Sequence, residues 1–383
     1  MPFLKLAEAA ISFRSQHHLP KPAVRRRRPT NRSFDRLEER SLLSAGLGFS
    51  TTAAGRIAPI DQGLGRSAMV GQLRAGLRAA REASATAGQQ TAAVLGHLGV
   101  AKAMSDVVYN QQGGHQAKLD VYRPTGPAPA GGWPAVIAIP GGGWEWASKK
   151  DYGSAASGLA RYGFVVVAVD YTFSSPGVRS WPANLNDLKQ AVRWVRKHAA
   201  SLGVDPNKIA AMGESAGAHL AALLGTYPDG PAVADGTPQG AASWPDGVSS
   251  RVEAVVDFYG PIDLVAEYRD SPRARPDLVS FLGGTPDQVP ARYVAASPID
   301  HIGPDTPPMF LIHGTADAIV PYQQTVAMDA ALKAAGIPDE FTLLQGFTHG
   351  FRFQFGPDNL LPGIAGFLNT AFTRSTTGPT GTA

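Results

Sequence analysis

Two stretches of this chain, Ala135-Val136-Ile137-Ala138-Ile139 and Phe164-Val165-Val166-Val167-Ala168-Val169, are apolar at every position. A strand with one face in water alternates apolar and polar side chains. An unbroken run needs cover on both faces, which is the situation of a strand inside a parallel sheet with helices on either side. Five more short runs are rich in apolar residues, at residues 118–122, 208–212, 254–258, 309–313 and 341–344. Helical patterns separate several of them. Residues 182–202 put Leu185, Leu188, Ala191, Val192 and Val195 at the spacing of one helix face, with Lys189 and Arg193 expected on the wet side. Helices are also expected at 216–224, 323–335 and 359–372, while the Pro-, Gly- and Asp-rich stretches 227–250 and 267–298 read as rim loops. The fold class is therefore α/β, a mostly parallel central sheet flanked by helices.

The chemistry sits at the ends of these runs. Gly213-Glu214-Ser215-Ala216-Gly217 matches G-x-S-x-G, weak alone but here set between a strand and a helix. That setting lifts a serine hydroxyl clear of the sheet, so Ser215 is the candidate nucleophile; the bland alternative is a serine in a Gly-rich turn. A serine needs a base, and the base needs an orienting acid. Of nine histidines, only His301, His313 and His349 lie well downstream. His313 ends an apolar run, where a structural role is expected, and His301 precedes the last two strands. His349 follows the final strand on a turn between Gly346 and Gly350 and is the expected base. Asp317, directly after the penultimate strand, is the expected acid; Asp300 and Asp305 lie at that strand's other end. Three glycines in a row, Gly141-Gly142-Gly143, follow the run 135–139. Such a cluster exposes bare backbone. Acyl transfer builds an oxyanion that pre-aimed N–H groups stabilise, each by on the order of 3 kcal/mol. Gly142 and Gly143, with Ala216 after the nucleophile, are the expected donors.

Composition narrows the partners. The absence of cysteine excludes disulfides, thiolate metal sites and a cysteine nucleophile. No stretch approaches the roughly 18 apolar residues of a membrane-spanning helix, so no transmembrane segment is expected. Residues 1–100 hold 15 Lys+Arg against 6 Asp+Glu, whereas 101–383 hold 20 against 25. The basic excess centres on Arg25-Arg26-Arg27-Arg28, so the body is not expected to bind nucleic acid. The expected organisation is a basic leader and linker without ordered structure at 1–65, an Ala-rich connector with helical potential at 66–102, a catalytic domain at 103–372 and a flexible tail at 373–383.

With these residues identified, the body resembles the α/β-hydrolase carboxylesterases of the hormone-sensitive-lipase and BD-FAE-like (acetylxylan/feruloyl esterase) groups. The segments LDVYRP, PGGGW, VAVDYTFS, GESAGAHLAALL, FLGGTP, HGTADAIVPYQQ and GFTHGF occur in the matching order. The resemblance implies an α/β-hydrolase fold and serine-triad hydrolysis of carboxylic esters through an acyl-enzyme, with no metal or cofactor. It implies a small acyl ester as substrate, such as acetyl or feruloyl groups on polysaccharide. One departure is Pro140, which stands where the family usually has histidine. The backbone donors follow it, so the departure bears on the pocket wall and substrate choice. Trp144, Trp146 and Tyr171 are candidate pocket residues. For the two tryptophans, packing in the core or at the rim is favoured over stacking on a sugar or aryl group. Residues 37–45, LEERSLLSA, resemble the LEPR-XLL leader of exported bacterial proteins with Glu39 in place of proline. They imply an extracellular or cell-surface location, with the cytoplasm as the alternative. The rival functions are an amidase or formamidase of the same fold and a non-catalytic surface-binding protein.

Overall fold

Every residue of the run 135–139 is fully buried, and alternate side chains face opposite sides: Ala135, Ile137 and Ile139 join one core cluster, Val136 and Ala138 the other. Burying a Val or Ile completely contributes on the order of 1.5–3 kcal/mol, which fixes such a run at the centre of a sheet. The computed structural model describes residues 49–51, 57–59, 98–112, 115–231, 244–351 and 359–375. The chain divides into two units, Met1–Arg81 and Glu82–Ala383. In the first, β1 (Phe49–Thr51) pairs antiparallel with β2 (Ile57–Pro59). The leader motif at 37–45 and most of the connector lie outside the described residues.

The second unit holds β3 (Val100–Gln112), β4 (His115–Pro124), β5 (Trp133–Ile139), β6 (Val165–Val169), β7 (Val204–Glu214), β8 (Val255–Phe258), β9 (Met309–Gly314) and β10 (Asp339–Leu344). They form one sheet in the order β10-β9-β8-β7-β5-β6-β4-β3. From β6 to β10 all neighbours are parallel; β4 is antiparallel to both of its neighbours. The chain leaves β5 for β6 on one side and returns to β7 on the other. Crevices at such a reversal, beyond the carboxyl ends of the strands, are where α/β sheets place their sites. The loops after β5, β7, β8, β9 and β10 all open on this edge.

One face of the sheet is covered by α1 (Gly153–Ala160) and, at the chain's end, Leu361–Ser375. The other is covered by α2 (Ala183–Lys197) and, beyond the short α3 (Ala199–Leu202), by α4 (Ala216–Thr226). Three expectations are corrected. First, the stretch 267–298 is not loop. It carries α5 (Leu264–Asp270), α6 (Arg275–Leu282) and α7 (Pro290–Ala295). Pro276 and Pro290 sit in the first turns of α6 and α7, and Gly283 closes α6 with φ +77°, so several of the residues that suggested loop are helix ends. Second, Lys189 and Arg193 are not on the wet side. Lys189 Nζ donates to the Pro228 and Gly230 carbonyls, and Arg193 lies over the Trp244 ring and donates to the Val248 carbonyl. The chain after α4 folds back over α2 and supplies these partners. Third, the helix expected over 182–202 breaks between α2 and α3. β3 and α1 had no counterpart in the sequence reading. The remaining helices are α8 (Gln323–Ala334) and α9 (Leu361–Ser375), the last extending into the segment assigned to the tail.

Candidate active site

Ser215 stands between β7 and α4 with φ 52° and ψ −122°, a conformation costing a non-glycine residue on the order of 1–3 kcal/mol. Its neighbours make the turn possible. A Cβ on Gly217 would fall inside van der Waals contact of the Ile139 and Pro140 carbonyl oxygens. The elbow therefore rests directly on the end of β5, and only a bare backbone fits. The Ser215 N–H donates to the Phe258 carbonyl (2.9 Å), tying the elbow to β8 as well.

The three side chains expected from sequence meet here. His349 Nε2 lies 3.0 Å from Ser215 Oγ, and His349 Nδ1 lies 2.7 Å from Asp317 Oδ2. Asp317 Oδ1 accepts from the backbone N–H groups of Ile319 and Val320. Burial alone would raise the Asp317 carboxyl. The hydrogen bonds from His313 and His349, and the N–H of Ile319, outweigh it and hold the group below the ordinary carboxylate range. His313 is buried, as a structural strand-end histidine should be, yet its Nε2 is 3.3 Å from Asp317 Oδ2 as well as 2.9 Å from the Val320 carbonyl. It flanks the acid from below. Tyr259, after β8, sets its ring edge-on to His349 at 4.8 Å.

The glycine loop lies against the elbow. Gly142 has φ +91°, and its carbonyl accepts from the N–H groups of Glu145 and Trp146 in a tight turn. The N–H groups of Gly142, Gly143 and Ala216 have no acceptor among the described residues. Trp144 lines the cleft but is buried, the packing favoured for it from sequence. Its indole stacks on Phe281 at 4.5 Å, and its Nε1 donates to His219 Nδ1 on α4. Burial pushes His219 down to about 4, and its other nitrogen donates to the Ala296 carbonyl. Trp144 thus pins the loop to the helix that follows Ser215. Tyr171, by contrast, does not line the cleft. Fully buried, it donates its hydroxyl to the Pro140 and Gly141 carbonyls (3.0 and 3.2 Å) and props the loop from behind. Trp146, 70% exposed, remains at the pocket mouth.

The cleft beside Ser215 has a volume of about 360 Å³. Sequence reasoning missed several of its residues. Glu214, beside the nucleophile, is pushed by burial up to about 7 against the pull of Tyr259, His349 and Tyr152. Glu267 and Asp277 come from the helices read as loop. Nothing in their local sequence marks them, because they reach the cleft through tertiary packing.

A hydroxyl bonded to an imidazole whose far nitrogen faces a carboxylate can deliver an alkoxide-like nucleophile. The BD-FAE family model matches residues 119–332. Esterase LipQ of Mycobacterium tuberculosis is 34% identical over 242 residues, which cover 63% of this chain and 55% of LipQ. Esterase LipC of the same organism is 37% identical over 250 residues, 62% of this chain and 58% of LipC. The chain thus spans about half the length of the curated relatives it matches. Among solved structures, the thermophilic esterase Est2 of the planctomycete Thermogutta terrifontis is 32% identical with a TM-score of 0.55, covering 74% of this chain and 95% of that one. Est2 has also been solved with propionate or butyrate bound and phosphorylated by paraoxon. A truncated carbohydrate esterase from gut microbiota is 26% identical with a TM-score of 0.60, covering 73% of this chain and 98% of that one.

Proposed function

The chain belongs to the BD-FAE family, and from that premise we propose that it hydrolyses carboxylic esters through an acyl-enzyme on Ser215. The observation that carries the reading is the unbroken relay Asp317–His349–Ser215, with separations of 2.7 and 3.0 Å. His349 Nε2 takes the Ser215 proton as Oγ attacks the ester carbonyl. The N–H groups of Gly142, Gly143 and Ala216 receive the oxyanion. His349 then returns the proton to the departing alcohol. Water, deprotonated by the same nitrogen, attacks the acyl-serine and releases the acid, restoring the Ser215 hydroxyl. Asp317 holds the imidazole and stabilises its cationic form.

The substrates are short acyl esters, acetyl or feruloyl groups on polysaccharide among them. The short acids found in Est2 and the carbohydrate esterase among the structural relatives support this reading. Among the described residues no helix is long and apolar enough to cross a membrane. The leader resemblance supports export of the chain.

The test is turnover of p-nitrophenyl acetate, acetylated xylan, feruloylated xylan and an aryl formamide by the full chain. Release of acetate or ferulate from xylan supports the reading. Turnover of the formamide with none of the esters would replace it with an amidase.

A further inference from the structure

The wall of the cleft beside Ser215 carries four carboxyl groups, on Asp151, Glu214, Glu267 and Asp277, and among the described residues no lysine or arginine. Two of them stand apart. Glu267, on α5, is fully buried, and neither of its carboxyl oxygens has a hydrogen-bond partner. The neighbouring Ser271 hydroxyl spends its proton on the Ile319 carbonyl. A buried polar group left unpaired costs about 1–3 kcal/mol. Asp277, on α6, sets Oδ2 only 2.7 Å from where a Cβ on Gly143 would be, so its carboxyl stands against the loop that faces the ester carbonyl.

We propose that Glu267 and Asp277 are the specificity-determining residues of this pocket, selecting esters with one arm that carries a hydrogen-bond-donating hydroxyl or ammonium group and turning away esters whose arm ends in a carboxylate. The inference rests on the esterase reading and goes beyond it by naming the chemistry of the arm. A donor on the substrate supplies the partner that Glu267 lacks. A carboxylate on the substrate meets Asp277 with no cation on the wall to receive it, and like charges in contact cost several kcal/mol. Burial, with Asp317 and Asp270 nearby, pushes Glu267 up to about 8. At neutral pH it therefore both donates and accepts, which a hydroxyl matches with both functions.

The experiment measures kcat/KM of the full chain on matched esters. Methyl butyrate, methyl 3-hydroxybutyrate, methyl 4-aminobutyrate and monomethyl succinate probe the acyl arm; propyl acetate against glycerol monoacetate probes the alcohol arm. Fluorophosphonate labelling reports the reactivity of Ser215 separately. On at least one arm, the parent should favour a donor-bearing ester over its plain match by about tenfold or more. It should disfavour monomethyl succinate by a similar factor. The preferred ester, hydroxyl or ammonium, identifies the donor. Glu267→Leu should bring the donor preference to within about twofold of unity while labelling persists; Glu267→Gln should keep part of it. Asp277→Asn should relieve the exclusion of the succinate ester. The inference is overturned by a labelled, active parent that treats plain, donor-bearing and anionic esters alike, or by a preference that survives Glu267→Leu. Unfolding of Glu267→Leu would also overturn it, since that carboxyl would then have a structural partner. A parent that is folded but neither labelled nor active brings down the esterase reading, and this inference with it.

Discussion

The glycine loop after β5 and the short helices between residues 264 and 295 both wall the same cleft, and they are held in opposite ways. The loop is held by backbone and by two side chains that reach it from behind, Tyr171 and His219. Gly217 lets the elbow rest on the Ile139 and Pro140 carbonyls, Tyr171 donates to the Pro140 and Gly141 carbonyls, and Trp144 is bonded through His219 to α4. The helices carry Glu267, with no hydrogen-bond partner, and Asp277 in the half-buried zone of the rim. On the proposed reading, tight backbone constraint goes with the catalytic loop, and sparsely bonded side chains go with the wall of the cleft.

The sharpest way to break the comparison is to crowd the loop. Gly142→Ala puts a Cβ into the turn closed by Trp146, at a residue with φ +91°. We expect kcat on p-nitrophenyl acetate to fall by about 10²–10³ as one oxyanion donor is misaimed. Circular dichroism should show the fold retained. A variant as active as the parent would mean the loop takes no part in catalysis.

The anchor comes next. Trp144→Leu leaves His219 Nδ1 buried without its donor and removes the stack on Phe281. The expected loss of stability is about 2–4 kcal/mol, read by urea denaturation, with a fall in kcat larger than any change in KM. An unchanged midpoint would show that the indole is not what fixes the loop.

This contrast also explains what the sequence revealed. Ser215, Asp317 and His349 were legible because each follows a strand of the same parallel sheet. Strand order then brings the three loops to one edge. The strands were legible because runs such as 165–169 are buried on both faces. Lys189 was misread because its helix pattern is amphipathic only locally; the carbonyls that bury it come from Pro228 and Gly230. Trp144 packs in the core, as favoured for it from sequence, whereas Tyr171 was assigned to the pocket and instead props the loop. A buried aromatic bonded to a loop and an exposed aromatic facing a ligand have the same local sequence, and only tertiary contact separates them. Helices α5 to α7 were hidden by the proline and glycine that delimit them.

On the wall, effects should be smaller and dependent on conditions. Glu267 has its carboxyl raised from 4.5 to about 8 by burial. Between those values the folded chain keeps a proton that the unfolded chain has released, so its contribution to stability falls as pH rises through the window and levels off above 8. Glu267→Gln removes that slope. Its Tm relative to the parent should rise with pH, by about 2–5 °C from pH 5 to pH 9, as followed by calorimetry. A difference independent of pH would show that Glu267 ionises normally. The smallest effect belongs to Trp146, exposed at the mouth. Trp146→Ala should leave Tm within about 1 °C and raise KM for aryl esters about two- to fivefold with little change in kcat. A loss of stability would put this indole with Trp144 as part of the scaffold.

The central claim is that Ser215 is an activated nucleophile. The most direct test is to treat the full chain with a fluorophosphonate, count adducts by intact mass and locate them by peptide mapping, beside the Ser215→Ala variant. The account predicts one adduct per chain on Ser215, with no adduct in the variant and turnover of p-nitrophenyl acetate lowered by at least about 10³-fold. An adduct elsewhere in the chain, or a variant that still turns over the ester, would contradict it.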